Sequence, residues 1–128
     1  MEEKRPKVHG IGNPLIDIIV QVTEHDLDVL GIHKGAMHLI DEHRRKQLLG
    51  HIKGKPASFS CGGSCPNTII TLAGLGVDAT LAGKVGEDEY GHIYRKRLSE
   101  LGVHDELVTC SEPTGSSIIL ITPDSERT

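Results

Sequence analysis

Cys61-Gly62-Gly63-Ser64-Cys65-Pro66-Asn67-Thr68, continued by Ile69-Ile70-Thr71-Leu72-Ala73-Gly74-Leu75-Gly76, decides how this chain folds. Ala57 to Ser60 reads as a brief strand that delivers the chain to the glycine pair. Ser64 is the expected N-cap of the helix that follows, with Pro66 in the first turn, where its missing N–H costs nothing. Ile69, Ile70, Leu72, Ala73 and Leu75 give that helix an apolar stripe, and Gly76 suits its end. Gly62 and Gly63 carry no Cβ, so a ligand can approach the backbone closely. The free N–H groups of the helix start then face that ligand. Asn67 falls on the first turn, and its amide can both donate and accept, which suits a sugar hydroxyl. A tight turn with a helix cap needs no ligand, so both readings stay open at this point.

Outward from that turn, short apolar runs alternate with helix patterns. Val8 to Gly12 reads as a strand, and Asn13-Pro14 redirects the chain. Thr23 or Asp26 can cap a short helix closed by Gly31, and Asp41 can cap one running to about Ile52, closed by Gly50 or Gly54. Thr80 to Ala82 reads as a buried strand, and Glu89 to Leu101 as a charged amphipathic helix ended by Gly102. Alternation of this kind predicts an α/β fold with a mostly parallel sheet. Strands near 15–22, 36–40, 107–110 and 116–122 are expected to form a separate small sheet. The chain stops at Ser125-Glu126-Arg127-Thr128, directly after a strand, where a parallel sheet would still need covering helices. The expectation is a beginning without an end.

The 128 residues amount to one domain or part of one, with 37% hydrophobic and 25% charged residues. Aromatic residues make up 2%, so the core must be aliphatic. A formal net charge of −4 argues against a nucleic-acid or anionic-membrane binder. The basic clusters Lys4-Arg5-Pro6-Lys7 and Arg95-Lys96-Arg97 are short and read as a solvated tail and helix face. Cys61, Cys65 and Cys110 are an odd number, spaced for no common zinc or redox site, and no metal site is expected. No apolar run approaches the roughly 18 residues that cross a bilayer, and the first residues lack a signal core. Reduced thiols in a cytoplasmic protein are the expectation.

Asp17 sits inside the apolar run Leu15-Ile16-Asp17-Ile18-Ile19-Val20. A carboxylate there is costly to bury unless it is hydrogen-bonded. It is read as lying just past the first strand, at the end where open α/β sheets place ligands. It can accept hydrogen bonds from a substrate diol, or cap a turn near Asn13. Gly10-Ile11-Gly12 is no dinucleotide fingerprint, because Leu15 stands where the third glycine belongs. Gly83-Lys84 is followed by Val85, not Ser or Thr, so it is no phosphate loop either. Glu87-Asp88 stands where a helix start favours acids in any case.

Four blocks carry a family likeness: Gly12-Asn13-Pro14-x-x-Asp17, Gly62-Gly63-Ser64-x-x-Asn67, Gly83-Lys84-Val85-Gly86-x-Asp88-x-x-Gly91 and Pro113-Thr114-Gly115. In this order and spacing they resemble the ribokinase-like (PfkB-type) carbohydrate kinases. The likeness runs from about Val8 to the last residue. Lys34-Gly35-Ala36-Met37-x-Leu39-Ile40-Asp41 and Ile121-Thr122-Pro123-Asp124-x-x-Arg127-Thr128 look most similar to adenosine kinases and their bacterial relatives.

The resemblance implies the N-terminal part, residues 1–128, of a ribokinase-like α/β sandwich with a small β-sheet lid. It implies that Asp17 binds ribose hydroxyls, with Asn13, the Gly62-Gly63 amides, Ser64 and Asn67 around the same sugar. Met37, Leu39 and Leu120 match lid positions that cover the site, and Arg127 matches a lid arginine that meets the transferred phosphate. The implied reaction moves the ATP γ-phosphoryl group, with Mg²⁺, to the 5′-hydroxyl of a small sugar or nucleoside, adenosine first. Lids of this kind also pair in some relatives, which implies a homodimer through the lid sheet as an option. The family's nucleotide site and general base lie in a Gly-Ala-Gly-Asp motif that this sequence does not contain. No catalytic residue is therefore assigned within the chain, which is expected to be inactive alone. The alternatives are a sugar-binding or lid-dimerising module without kinase activity, and a plain structural α/β domain.

Overall fold

The computed structural model describes residues 6–128, so Lys4 and Arg5 of the first basic cluster lie outside the described residues. Ten elements follow in chain order: β1 (Lys7–Ile11), β2 (Leu15–Gln21), α1 (Glu24–Leu30), α2 (Glu42–Ile52), β3 (Ala57–Gly62), α3 (Ser64–Gly74), β4 (Asp78–Gly86), α4 (Glu89–Glu100), β5 (His104–Cys110) and β6 (Ser116–Ile121). They form two compact units, residues 1–17 with 60–117, and residues 18–59 with 118–128. The chain passes between the units within β2, β3 and β6.

The first unit is built on a parallel sheet ordered β1-β4-β5. Lys7 pairs with Asp78 through to Ile11 with Ala82, and Thr80 pairs with His104 through to Gly86 with Cys110. Such pairs need a crossover, and α3 and α4 supply it: α3 packs on β1 and β4, α4 on β4 and β5. Close approach of α3 explains Gly10. A Cβ there would stand 2.5 Å from Ile69 Cγ1 and 2.8 Å from Cys65 Sγ. The buried side chains of this unit, Ile69, Leu81, Val85, Leu98 and Val103 among them, are aliphatic as the composition requires.

Within this unit a polar lock joins two of the sequence blocks. The Asp88 carboxylate caps α4 by accepting from Gly91 N–H (2.8 Å), and also accepts from Thr114 N–H (2.8 Å) and Thr114 Oγ1 (2.6 Å). Gly86 N–H donates to Thr114 Oγ1 at 2.9 Å. A Cβ on Gly86 would meet Glu112 O at 2.5 Å, and one on Gly91 would collide with the Gly86 carbonyl. The two blocks are thus a folding device at the β4–α4 junction.

In the second unit, α1 is capped by Thr23 in a reciprocal box with Asp26, and Gly31 closes it in the left-handed region (φ 61°). Asp26 is buried and accepts from His51 (2.8 Å) and Lys55 (3.1 Å), so it ties α1 to the end of α2. The Thr23 amide, then His51 and Lys55, hold its carboxyl well below the usual carboxylate range. Lys34 pairs with Glu24 and with Asp124, the latter at 2.6 Å. That lysine holds Asp124 down to about 2. Asp41 caps α2 as expected, accepting from Arg44 N–H at 2.7 Å.

Several expectations need correction. Residues 36–40 form no strand and have no sheet partner among the described residues, and Met37 and Leu39 are fully exposed. Alternating apolar residues express a fit to a half-buried sheet surface, and here no neighbouring strand supplies one. Residues 107–110 belong to β5 of the parallel sheet, not to a small separate one. The polar start of β5, His104-Asp105-Glu106, is exposed at a sheet edge and gives no apolar signal. The second sheet is ordered β3-β2-β6, so its third strand is the one that leads into the glycine pair. Gly50 lies inside α2 and does not end it. Arg95, read as part of a solvated helix face, instead grips the edge strand through Asp105 (2.8 Å) and Leu107 O (2.8 Å).

Candidate functional site

Asp17 lies within β2, not past the end of the first strand. Its carboxylate rests against the Cα of Gly62, where a Cβ would stand 2.9 Å from Oδ2 and 3.0 Å from Oδ1. A side chain at position 62 would force that carboxylate to shift. Gly63 follows with φ 106°, a conformation that L side chains avoid, and its missing Cβ leaves room for Asn13 O. The block Gly12 to Asp17 and the block Gly62 to Asn67 are therefore pressed together.

The helix start differs in one respect. Gly63 is the N-cap of α3, no side chain caps that end, and Ser64 is already the first helical residue. The Ser64 hydroxyl and the Asn67 amide are exposed and have no hydrogen-bond partner among the described residues. The Ser64 and Asn67 carbonyls, by contrast, accept from Thr68 Oγ1 (3.0 Å) and Thr71 Oγ1 (2.8 Å). Asn13 is exposed as well.

Asp17 itself is half-buried and has neither a hydrogen-bond nor an ion-pair partner among the described residues. Loss of water at its carboxylate pushes its pKa above the ordinary value. Burial pushes the nearby Cys61 thiol up to about 11, so Cys61 stays protonated and unreactive at neutral pH. Tyr94 was not expected here. Its side chain on α4 is fully buried, and its O–H donates to Gly62 O at 2.9 Å. The signal was present: Gly91, Tyr94 and Leu98 share one buried helical stripe, spaced three and four apart.

The remaining candidates belong to the second unit. Met37 and Leu39 are fully exposed, whereas Leu120 is 2% exposed and bonds Thr128 through its N–H and C=O at 2.9 Å each. A covering role for Leu120 does not follow from that placement. Arg127 is exposed, and its backbone bridges Ile121. A cleft of about 590 Å³ lined by Glu87, Thr109, Ser111 and Glu112, among others, includes none of the candidate residues. The described residues contain no group of three or more His, Cys, Asp or Glu placed to hold a metal ion. No helix among them is long and apolar enough to cross a membrane.

The family model described as pfkB family carbohydrate kinase matches residues 25–128. An ATP-dependent ribose-1-phosphate kinase from Halopiger xanaduensis is 42% identical over 69 residues, covering 52% of this chain and 23% of that protein. A probable sugar kinase from Rhizobium etli superposes with a TM-score of 0.74 at 33% identity, covering 97% of this chain and 37% of that one. Adenosine kinase from Anopheles gambiae, solved with P1,P4-di(adenosine-5) tetraphosphate, superposes with a TM-score of 0.76 at 28% identity, covering 93% and 38%. The chain thus spans between about a quarter and two fifths of the length of these relatives. Its relatives are sugar and nucleoside kinases, its fold is ribokinase-like, and the chain belongs to the pfkB family of carbohydrate kinases.

Proposed function

We propose that this chain supplies the acceptor site and the lid of a longer ATP-dependent kinase that phosphorylates the 5′-hydroxyl of a furanose, with adenosine as the preferred acceptor. One observation carries the reading: a half-buried carboxylate, Asp17, without a hydrogen-bond or ion-pair partner among the described residues, against the bare backbone of Gly62. A cis-diol offers two O–H donors side by side, and the two oxygens of one carboxylate accept both. The charge that burial disfavours is then compensated by the ligand.

The other residues fit the same ligand. The uncapped start of α3 offers N–H groups, and Ser64, Asn67 and Asn13 offer exposed polar side chains. On this reading Met37 and Leu39, exposed in the second unit, cover the base, and Arg127 meets the transferred phosphate. Closure of such a cover excludes water that competes as acceptor. The preference for adenosine rests on the lid sequences and on the adenosine kinases among the structural relatives. ATP and Mg²⁺ are the family's reagents, but the described residues hold no metal cluster and the sequence no phosphate loop. No step through either is derived from them, and the general base is placed in the remainder of the longer protein.

The test is Asp17→Ala in the complete kinase. Loss of hydrogen bonds to a charged group predicts a fall in kcat/KM on the order of a hundredfold or more. Near-normal turnover would remove this account of the acceptor site.

A further inference from the structure

Tyr94 is the one fully buried aromatic side chain among the described residues, and it stands in a core that is otherwise aliphatic. A buried hydroxyl is costly unless it is paired, so a Leu or Phe would fill the same space more cheaply. The pairing is specific: Tyr94 O–H reaches the carbonyl of Gly62, the residue whose Cα faces Asp17. Burial also pushes the phenol far above its ordinary pKa, so it is a donor throughout the neutral range.

The consequence follows from peptide geometry. Gly62 C=O and Gly63 N–H belong to one planar unit and point in opposite directions. Gly62 ends β3 and Gly63 caps α3, and as two successive glycines they have no Cβ to restrict rotation of the unit between them. An anchor on the Gly62 carbonyl, held from the buried side by α4, fixes the Gly63 N–H toward the other side. We propose that Tyr94 is a positioning residue: its hydroxyl sets the orientation of the Gly62–Gly63 peptide and so the donor that the turn presents beside Asp17. This rests on the acceptor-site reading for its purpose, though not for its geometry.

The test compares the isotope-labelled chain as wild type, Tyr94→Phe and Leu98→Ala. Leu98 is buried one turn further along the same helix and carries no polar group that could bond the Gly62 carbonyl, so its truncation is the stability control. NMR would follow the Gly62 carbonyl and Gly63 amide resonances, the Asp17 carboxyl titration, thermal stability and adenosine affinity. The proposal predicts that Tyr94→Phe moves the Gly62 and Gly63 resonances, shifts the Asp17 titration midpoint and weakens adenosine at least fivefold. Leu98→Ala should lower thermal stability and leave all three where they were. It is overturned if Tyr94→Phe loses stability yet keeps the two resonances and the Asp17 midpoint unchanged. Absence of adenosine binding by the wild type would count against the acceptor site, while the apo resonances and the titration would still decide the role of Tyr94.

Discussion

Asp17 is under two opposed demands, and they show up in different experiments. Its folded-state pKa lies above its ordinary value because burial strips water from the carboxylate. The folded protein therefore binds more protons than the unfolded chain between those two values, and stability falls as pH rises through that window. Above it the penalty is fully present, and below the ordinary carboxylate pKa of about 3.9 it is gone. Asp17→Asn should then raise the urea midpoint at pH 7 and lose that advantage at pH 3, measured side by side with the wild type. On the proposed function, the ligand is the reason to keep a destabilising group. The sequence made Asp17 conspicuous, because a carboxylate interrupts an apolar run. It could not disclose Tyr94, because a hydroxyl's partner, here a backbone carbonyl 32 residues away, leaves no trace in local pattern.

At the scale of elements, the blocks that looked alike in sequence do different work. Gly62 to Asn67 shapes a turn with open polar groups, whereas Asp88, Thr114, Gly86 and Gly91 bond one another across the β4–α4 junction. Thr114 is 2% exposed, so Thr114→Val should leave Gly86 N–H without its acceptor and remove one of the two donors on Asp88 Oδ1. Each such loss costs about 1–3 kcal/mol. Chemical denaturation should accordingly show a destabilisation of about 2 kcal/mol without change in the m-value. Helices were legible because caps and glycine stops are local: Thr23, Asp41, Gly31 and Gly102 all stand where the ends fall. Strand membership was not. Residues 36–40 and 107–110 carry respectable β patterns, but pairing depends on a neighbour that the sequence does not name. Ser64 as a cap failed for a similar reason, since Gly63 at positive φ starts the helix one residue earlier.

For the whole molecule, family and fold were readable because four spaced blocks survive together, while substrate was not. The relatives divide among ribose 1-phosphate, sugar and adenosine kinases, and the chain covers a minor share of each. What the chain does hold is a complete contact between Asp17 and the Gly62–Gly63 turn, inside one compact unit. That contact makes a claim independent of ATP, of Mg²⁺ and of any downstream residue. The direct test is an NMR titration of the labelled 128-residue chain with adenosine and with 2′,3′-dideoxyadenosine. The account predicts saturable shifts at Gly62, Gly63 and Asn67 for adenosine, none for the dideoxy compound, and none for either in Asp17→Ala. Equal response to both nucleosides, or an adenosine response that survives Asp17→Ala, would contradict it.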